Sequence, residues 1–162
     1  MTDFRALLTT LHVKRVEFII VGGAAAVAHG SVRLTYDLDI VYRRTPENIA
    51  RLVEALAPVH PYLRGVPPGL PFQWDAESLH RGLNFTLVTD IGDIDVLGEI
   101  TGGGGYEDLL PHSIVLNLFE TASPCLNLNK LIQVKRAAGR VKDFEAVAEL
   151  EVIAEETGED LE

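Results

Sequence analysis

The sequence has little of several features that would place it in particular classes of protein. Among its 162 residues there is one cysteine, Cys125, so an internal disulfide is excluded and a small buried thiol in a reducing cytosol is expected. No apolar run approaches the roughly 20 residues that a membrane-spanning helix needs. The first ten residues carry an acid and no cleavage-site pattern, which argues against a signal peptide. We therefore predict a cytoplasmic protein with no membrane contact.

Basic residues are also scarce. The chain has 14 Lys and Arg against 24 Asp and Glu, and a formal net charge of -10 does not favour non-specific binding to nucleic acid. Its five histidines lack metal-ligand spacing. A hydrophobic content of 47% is ordinary for a globular protein. We predict a single domain over residues 1–162, with a core at about 16–120 and C-terminal helices at about 127–156.

Apolar spacing and turn residues predict the order of helices and strands. Helices are expected at 3–14, 24–30, 45–58, 127–138 and 141–156, and strands at 16–21, 36–42, 83–90, 92–100 and 113–120. The two strands from 83 to 100 form a hairpin in this prediction. Residues 58–82 and 101–112 are rich in Gly or Pro and are expected to be loops. This order favours an α/β (α+β) fold with a mixed sheet flanked by helices.

Two aspartates interrupt the apolar strand "YDLDIVY". Asp37 and Asp39 are one residue apart, so both side chains face the same side of the strand. Like charges that close repel each other, and the commonest chemical reason for such a pair is a divalent cation held between them. The alternative is that one aspartate caps a turn and the other is exposed at a sheet edge.

The same spacing recurs in "GDIDVLGEI", where Asp93 and Asp95 occupy a later strand. If the two strands pair, Asp95 faces the same side as Asp37 and Asp39, whereas Asp93 can be a turn residue at the hairpin end. Three carboxylates that converge in this way typically hold two metal ions for phosphoryl or nucleotidyl transfer.

Gly22 and Gly23 end the first strand, just before the short alanine-rich helix. Glycines there allow backbone N–H groups to approach a phosphate closely, although a simple turn is the alternative. The segment is neither a Walker A loop nor a dinucleotide fingerprint, because no Gly-Lys-Ser/Thr follows and the G-x-G-x-x-G order is absent.

The stretch "IIVGGAAAVAHGSVRLTYDLDIVY" resembles the nucleotidyltransferase superfamily typified by DNA polymerase beta. That superfamily has a Gly-Gly or Gly-Ser turn, then Asp-x-Asp/Glu, then a third acid on a later strand. Within it, "GGAAAVAHGSVRLTYDLD" and "KRAAGRVKD" are similar to the small group related to the AbiEii-type abortive-infection toxins. The resemblance covers residues 16–150, most of the chain.

This resemblance implies a reaction and roles for particular residues. The protein would transfer NMP from an NTP such as ATP to a hydroxyl of RNA (tRNA for example), a protein or a small molecule, as the toxin of a toxin–antitoxin pair. Two Mg²⁺ or Mn²⁺ ions would be involved, with an antitoxin or a second copy of the chain as partner. The implied metal-binding and catalytic residues are Asp37, Asp39 and Asp95, and the implied nucleotide-binding residues are Gly22, Gly23, Arg33, Thr35, Lys135, Arg140 and Lys142.

Alternatives remain for several of these residues. Arg33 can be a surface arginine, and Lys135 with Arg140 can belong to an ion-paired helix junction with Asp143 or Glu145. A packed histidine at the helix end is a simpler reading of His29 than a catalytic base. Core packing or loop anchoring is likewise simpler than base stacking for three aromatic residues, Tyr36, Phe72 and Trp74.

Two further functional hypotheses belong to other classes of protein. One is an inactive nucleotide-binding or regulatory module with the same fold, and the other is a purely structural partner protein. Intact Asp37, Asp39 and Asp95 favour the enzyme, because a binding module does not need all three acids.

Overall fold

A computed structural model describes residues 1–161, and helices and strands alternate in the first half of the chain. The α-helices are α1 (Phe4–Val13), α2 (Gly22–Ala28), α3 (Pro46–Leu56), α4 (Ala76–Arg81), α5 (Tyr106–Leu109), α6 (Leu128–Ala138) and α7 (Val141–Thr157). The strands are β1 (Phe18–Val21), β2 (Asp37–Tyr42), β3 (Tyr62–Leu63), β4 (Phe85–Thr89), β5 (Gly92–Leu97), β6 (Glu99–Ile100), β7 (Gly104–Gly105), β8 (Ser113–Leu118) and β9 (Thr121–Leu126). Short 3₁₀ turns cover Ala57–Val59 and Leu110–His112.

A mixed sheet of seven strands organises the chain, in the order β3-β4-β5-β2-β1-β9-β8. β2 lies in the middle, antiparallel to β1 and parallel to β5, while β4 and β5 form the predicted hairpin. β6 and β7 form a separate two-stranded sheet. The predicted mixed α/β architecture is confirmed.

The helices pack in two groups. α1 and α4 contact α3, whereas α6 contacts both α2 and α7. Alternate residues of the central strands, such as Leu38, Ile40 and Ile94, are fully buried, as expected where a sheet is covered by helices. No helix within residues 1–161 has the length and apolarity needed to cross a bilayer.

Local sequence signals account for the helix ends. The Thr45 side chain accepts a hydrogen bond from the N–H of Asn48, and Pro46 occupies the first turn of α3, where its missing N–H costs nothing. Gly139 adopts a φ of +70°, which suits glycine and ends α6 before α7 begins. The predicted C-terminal helix pair is confirmed at these boundaries.

Three local predictions were wrong. Residues 58–82 contain β3 and α4 rather than one long loop, and residues 101–112 contain β7 and α5. α4 forms because Asp75 caps it by accepting the N–H of Ser78. β9 was missed because "TASPC" has the composition of a turn, and Pro124 disfavours a central strand. β9 nevertheless pairs along its length with β8, although with β1 at a single residue pair.

Candidate active site

Three carboxylates meet at the middle of the sheet. β2 and β5 are parallel neighbours in a register that places Asp39 opposite Asp95. One carboxylate oxygen from each of Asp37, Asp39 and Asp95 lies within 4.8 Å of the others. The predicted convergence is therefore observed, and these three residues are called the acidic cluster below.

Asp93 lies beside the acidic cluster instead of in the hairpin turn. It is the second residue of β5 and is in register with Asp37. Because side chains alternate along a strand, it faces the same side as Asp95. It extends the line of acidic charge toward the surface.

The acidic cluster contains buried polar atoms without hydrogen-bond partners. Within residues 1–161 the buried side-chain nitrogen and oxygen atoms of this kind are Asp39 Oδ1, Asp95 Oδ1 and Arg64 Nε. Buried polar groups are normally paired, so such a concentration at one place needs an explanation. Carboxylate oxygens are the ligands that Mg²⁺ and Mn²⁺ prefer, and these residues therefore fit a divalent cation.

The electrostatics of the cluster favour proton or cation binding. Burial, followed by the charges of Asp37 and Asp95, raises the pKa of Asp39 to about 8. Burial also raises the pKa of Asp95, against the opposing effect of Arg64. With a pKa of about 8, the Asp39 carboxyl group holds a proton at neutral pH unless another positive charge replaces it.

The raised pKa of Asp39 predicts how stability depends on pH. The folded protein retains this proton up to about pH 8, whereas an unfolded aspartate with a pKa of 3.8 releases it much earlier. The contribution of Asp39 to the free energy of unfolding is therefore complete below about pH 4 and falls as pH rises to about 8, by at most about 1.4 kcal/mol per pH unit.

This dependence can be measured by denaturant unfolding in EDTA at several pH values from 5 to 8. Asp39→Asn carries no titrating group, so we expect a shallower decline of the free energy of unfolding in this variant. Parallel curves for the two proteins would show that Asp39 ionises normally.

The glycine corner lies directly against the acidic cluster. Gly22 has a φ of +64°, and a Cβ added there would lie 2.2 Å from Asp39 Oδ2. A Cβ at Gly23 would lie 2.7 Å from the hydroxyl oxygen of Thr35, which itself donates to the carbonyl of Asp37. Only glycine allows the backbone to approach Asp39 this closely.

A cavity of about 430 Å³ opens beside the cluster. Gly22 and Asp39 form one wall, and Lys135 and Arg140, from the region of α6 and α7, form another. Lys135 is half-buried, and this burial lowers its pKa although Asp143 and Asp39 oppose the shift. A half-buried ammonium group on the wall of an open cavity is suited to an anionic ligand.

Arg140 is tied to the start of α7. Its Nε lies 2.6 Å from Asp143 Oδ2 and its Nη2 lies 3.2 Å from Oδ1 of the same residue. Asp143 is buried, and burial favours its neutral form, but the hydrogen bonds and charge of Arg140, together with the charge of Lys135, outweigh this effect and lower its pKa. Arg140 and Asp143 therefore form the predicted ion-paired helix junction and also line the cavity.

The remaining predicted nucleotide-binding residues lie farther from this cavity. Arg33 is paired with Glu145 across an exposed 3.4 Å contact, and Lys142 is exposed on the first turn of α7. Neither of these residues nor Thr35 is among the described residues that line the cavity. Their assignment as nucleotide contacts stays a prediction.

Arg64 was missed by sequence reasoning, although it contacts three aspartates. Its Nη1 lies 3.4 Å from Asp37 Oδ2, its Nε 3.4 Å from Asp93 Oδ2 and its Nη2 2.8 Å from Asp95 Oδ1. The residue follows β3, inside the segment that was expected to be a loop. Only the pairing of β3 with β4 brings it to the site.

The simpler readings hold for His29, Phe72 and Trp74, whereas Tyr36 is 74% exposed and does not pack in the core. His29 Nε2 lies 2.7 Å from the carbonyl oxygen of Leu126, so this histidine is packed at the end of α2. Trp74 donates to the carbonyl of Val53, and Phe72 packs edge-on against a tyrosine ring. Cys125 is fully buried, as expected, and burial raises its pKa to about 12.

Solved structures of nucleotidyltransferases share this architecture. The lincosamide antibiotic adenylyltransferase LnuA, solved with lincomycin bound, matches with a TM-score of 0.60 at 14% sequence identity, over 94% of this chain and 98% of LnuA. A Thermotoga maritima protein inferred to be a nucleotidyltransferase matches with a TM-score of 0.56 at 16% identity, over 90% and 88% of the two chains. The chain has the nucleotidyltransferase fold.

The superfamily resemblance is thereby confirmed at the level of the fold. No protein-family profile and no curated protein sequence matches the chain. The closer likeness to AbiEii-type toxins stays a prediction from the two motifs.

Proposed function

We propose that the protein is a metal-dependent nucleotidyltransferase that transfers NMP from an NTP to a hydroxyl acceptor. The observation that carries the proposal is the acidic cluster, three carboxylates within 4.8 Å of one another at the centre of a nucleotidyltransferase fold. The Lys135 cavity beside it supports the choice of an anionic substrate. An inactive binding module would not need three acids gathered at one point, where they repel one another.

In this proposal each residue has a defined task. Asp37, Asp39 and Asp95 would hold two Mg²⁺ or Mn²⁺ ions, which supply charge neutralisation at the triphosphate and activation of the hydroxyl. Lys135 would bind the phosphates, and Gly22 lets the backbone come close to them. The acceptor oxygen bonds to the α-phosphorus, the bond to the bridging oxygen breaks, pyrophosphate leaves with that electron pair, and Asp95 takes the hydroxyl proton.

A second groove offers a route for the acceptor. It has a volume of about 970 Å³ and is lined by apolar side chains, including Phe4, Leu34 and Tyr36, together with Thr35 and Asp93. Thr35 touches the glycine corner and Asp93 touches Arg64, so the groove lies next to the site, although none of the three cluster carboxylates lines it. A separate groove next to the site suits a reaction with two substrates.

The structural likeness to an adenylyltransferase extends over nearly all of both chains. LnuA, an adenylyltransferase, aligns over 98% of its own length with this chain. The sequence supports further predictions about substrates and biological role. They are ATP as the nucleotide, tRNA or protein as the acceptor, a toxin role with an antitoxin partner, self-association and a cytoplasmic location.

The proposal is tested by incubating the protein with Mg²⁺ and each α-³²P-labelled NTP in turn. Bulk tRNA, protein extract and a panel of small hydroxyl compounds serve as acceptors, and Asp39→Asn is the negative control. Label transfer by the wild-type protein alone supports the proposal. Nucleotide binding without transfer to any acceptor would support the inactive module instead.

Lys135→Gln is expected to weaken NTP binding in the presence of Mg²⁺ by about tenfold or more. A hydrogen bond between charged groups contributes about 1.5–3 kcal/mol, and the variant loses this contact while keeping much of the side-chain length. Isothermal titration calorimetry measures the change. Lys14→Gln, an exposed position beyond α1, is the matched control, and equal affinities for the two variants would remove Lys135 from the site.

A further inference from the structure

Arg64 belongs to a row of paired residues on neighbouring strands that also contains two of the cluster aspartates. Its N–H donates to the carbonyl of Thr86 on β4, Thr86 is in register with Asp95 on β5, and Asp95 is in register with Asp39 on β2. Residues directly opposite each other on paired strands face the same side. Because Thr86 is short, the long side chain of Arg64 can extend over β4 to the acids.

The guanidinium group of Arg64 does not form a two-point ion pair with any one carboxylate. Its Nη2 donates a 2.7 Å hydrogen bond to the carbonyl of Leu87, yet its Nε has no hydrogen-bond partner. Asp95 Oδ1 also lacks one, although Nη2 is 2.8 Å away, because the contact is poorly aligned. A bidentate pair with one carboxylate would be a stronger arrangement. Arg64 instead shares one positive charge among Asp37, Asp93 and Asp95.

We propose that Arg64 is a resident counter-ion of the acidic cluster that competes with divalent cations and moves to the triphosphate when metal and nucleotide bind together. The inference rests on the proposed function. A guanidinium group binds phosphate oxygens as well as carboxylates, so a nucleotide gives the displaced side chain a new partner. Binding of metal and binding of nucleotide then strengthen each other, as linkage requires.

The surroundings of Arg64 permit this movement. β3 is a two-residue strand at the edge of the sheet, and Arg64 is the last residue paired with β4. Gly65 follows with a φ of +78°, and a Cβ added there would meet no atom within 4 Å. The Arg64 side chain is 26% exposed, and Arg64 does not belong to the hydrophobic core.

Manganese binding to Arg64→Gln, measured by electron paramagnetic resonance of free Mn²⁺, tests the inference without any turnover. In the absence of nucleotide we expect the variant to bind Mn²⁺ about tenfold more tightly than the wild-type protein, because a competing charge is removed. At saturating Mn²⁺, α,β-methylene-ATP should bind the variant more weakly, because the phosphates lose a contact. Wild-type values for either quantity would overturn the inference.

Two further variants control for charge and for location. Arg64→Lys keeps the positive charge and should bind Mn²⁺ with nearly wild-type affinity, so tight binding by this variant would contradict the competition. Arg81→Gln, an exposed arginine paired with Glu77, should behave as wild type.

Asp39→Asn separates the inference from the proposed function. If Asp39→Asn abolishes Mn²⁺ binding while Arg64→Gln behaves as wild type, the inference alone fails. If the wild-type protein does not bind Mn²⁺, or Asp39→Asn binds it equally well, the proposed metal site and the inference fail together.

Discussion

Asp39→Asn is expected to abolish nucleotidyl transfer and, at the same time, to stabilise the metal-free protein. Asparagine keeps the shape of the side chain but removes the charge that a cation needs, so we expect the rate of label transfer to fall by at least about a hundredfold. The same change removes a carboxylate whose pKa is raised to about 8 by burial and by Asp37 and Asp95. At pH 8 in EDTA, the free energy of unfolding should therefore rise by about 1 kcal/mol or more.

Thermal and denaturant unfolding, run beside the transfer assay, measure both effects. Asp160→Asn, at an exposed position after α7, is the control and should alter neither quantity. Mg²⁺ should raise the melting temperature of the wild-type protein and leave that of Asp39→Asn unchanged. Loss of transfer together with loss of stability would instead mean that Asp39 has a structural role.

Gly22→Ala is expected to damage both the fold and the site. The new Cβ would lie 2.2 Å from Asp39 Oδ2, and a φ of +64° disfavours any residue with a Cβ. Asp39 cannot keep its present position beside such a Cβ. We expect the free energy of unfolding to fall by about 2–4 kcal/mol and Mn²⁺ binding to weaken at least about tenfold.

Gly158→Ala separates the contact with Asp39 from the backbone strain. Gly158 has a similar φ of +73°, but a Cβ there would meet nothing within 4 Å. This control should lose only about 1–2 kcal/mol and keep wild-type Mn²⁺ affinity. Equal losses of stability in the two variants, with Mn²⁺ binding intact in both, would show that the close approach to Asp39 is unimportant.

The centre of the site could be predicted from sequence because its signals are local. The alternation of "YDLDIVY" places Asp37 and Asp39 on one face, and Gly22 follows a strongly apolar strand. The step from Asp37 and Asp39 to Asp95 depended on a strand pairing that sequence could only propose. The parallel register of β2 and β5 fulfils that condition.

The parts that sequence could not predict depend on distant pairing. Arg64 lies in a Pro- and Gly-rich stretch without periodicity, and only the short ladder between β3 and β4 directs it toward the acids. β9 contains Pro124 and small polar residues, and it is a strand because β8 pairs with it throughout. Tertiary context overrides local propensity in both cases.

The basic residues show a different limit of sequence reasoning. Lys135, Arg140 and Lys142 lie close together in one segment, yet Lys135 and Arg140 line the cavity while Lys142 is exposed. The break at Gly139 separates two helices, and the orientation of α7 relative to α6 decides which side chains reach the site. That orientation is set by packing and not by the motif.

A crystal structure of the protein with Mn²⁺ and α,β-methylene-ATP would show directly whether the acidic cluster is a metal and nucleotide site. We predict anomalous manganese signal between the carboxylates of Asp37, Asp39 and Asp95, at about 2.1 Å from their oxygens, and triphosphate density next to Lys135. Manganese bound elsewhere, or a nucleotide located away from these three aspartates, would contradict the proposed site.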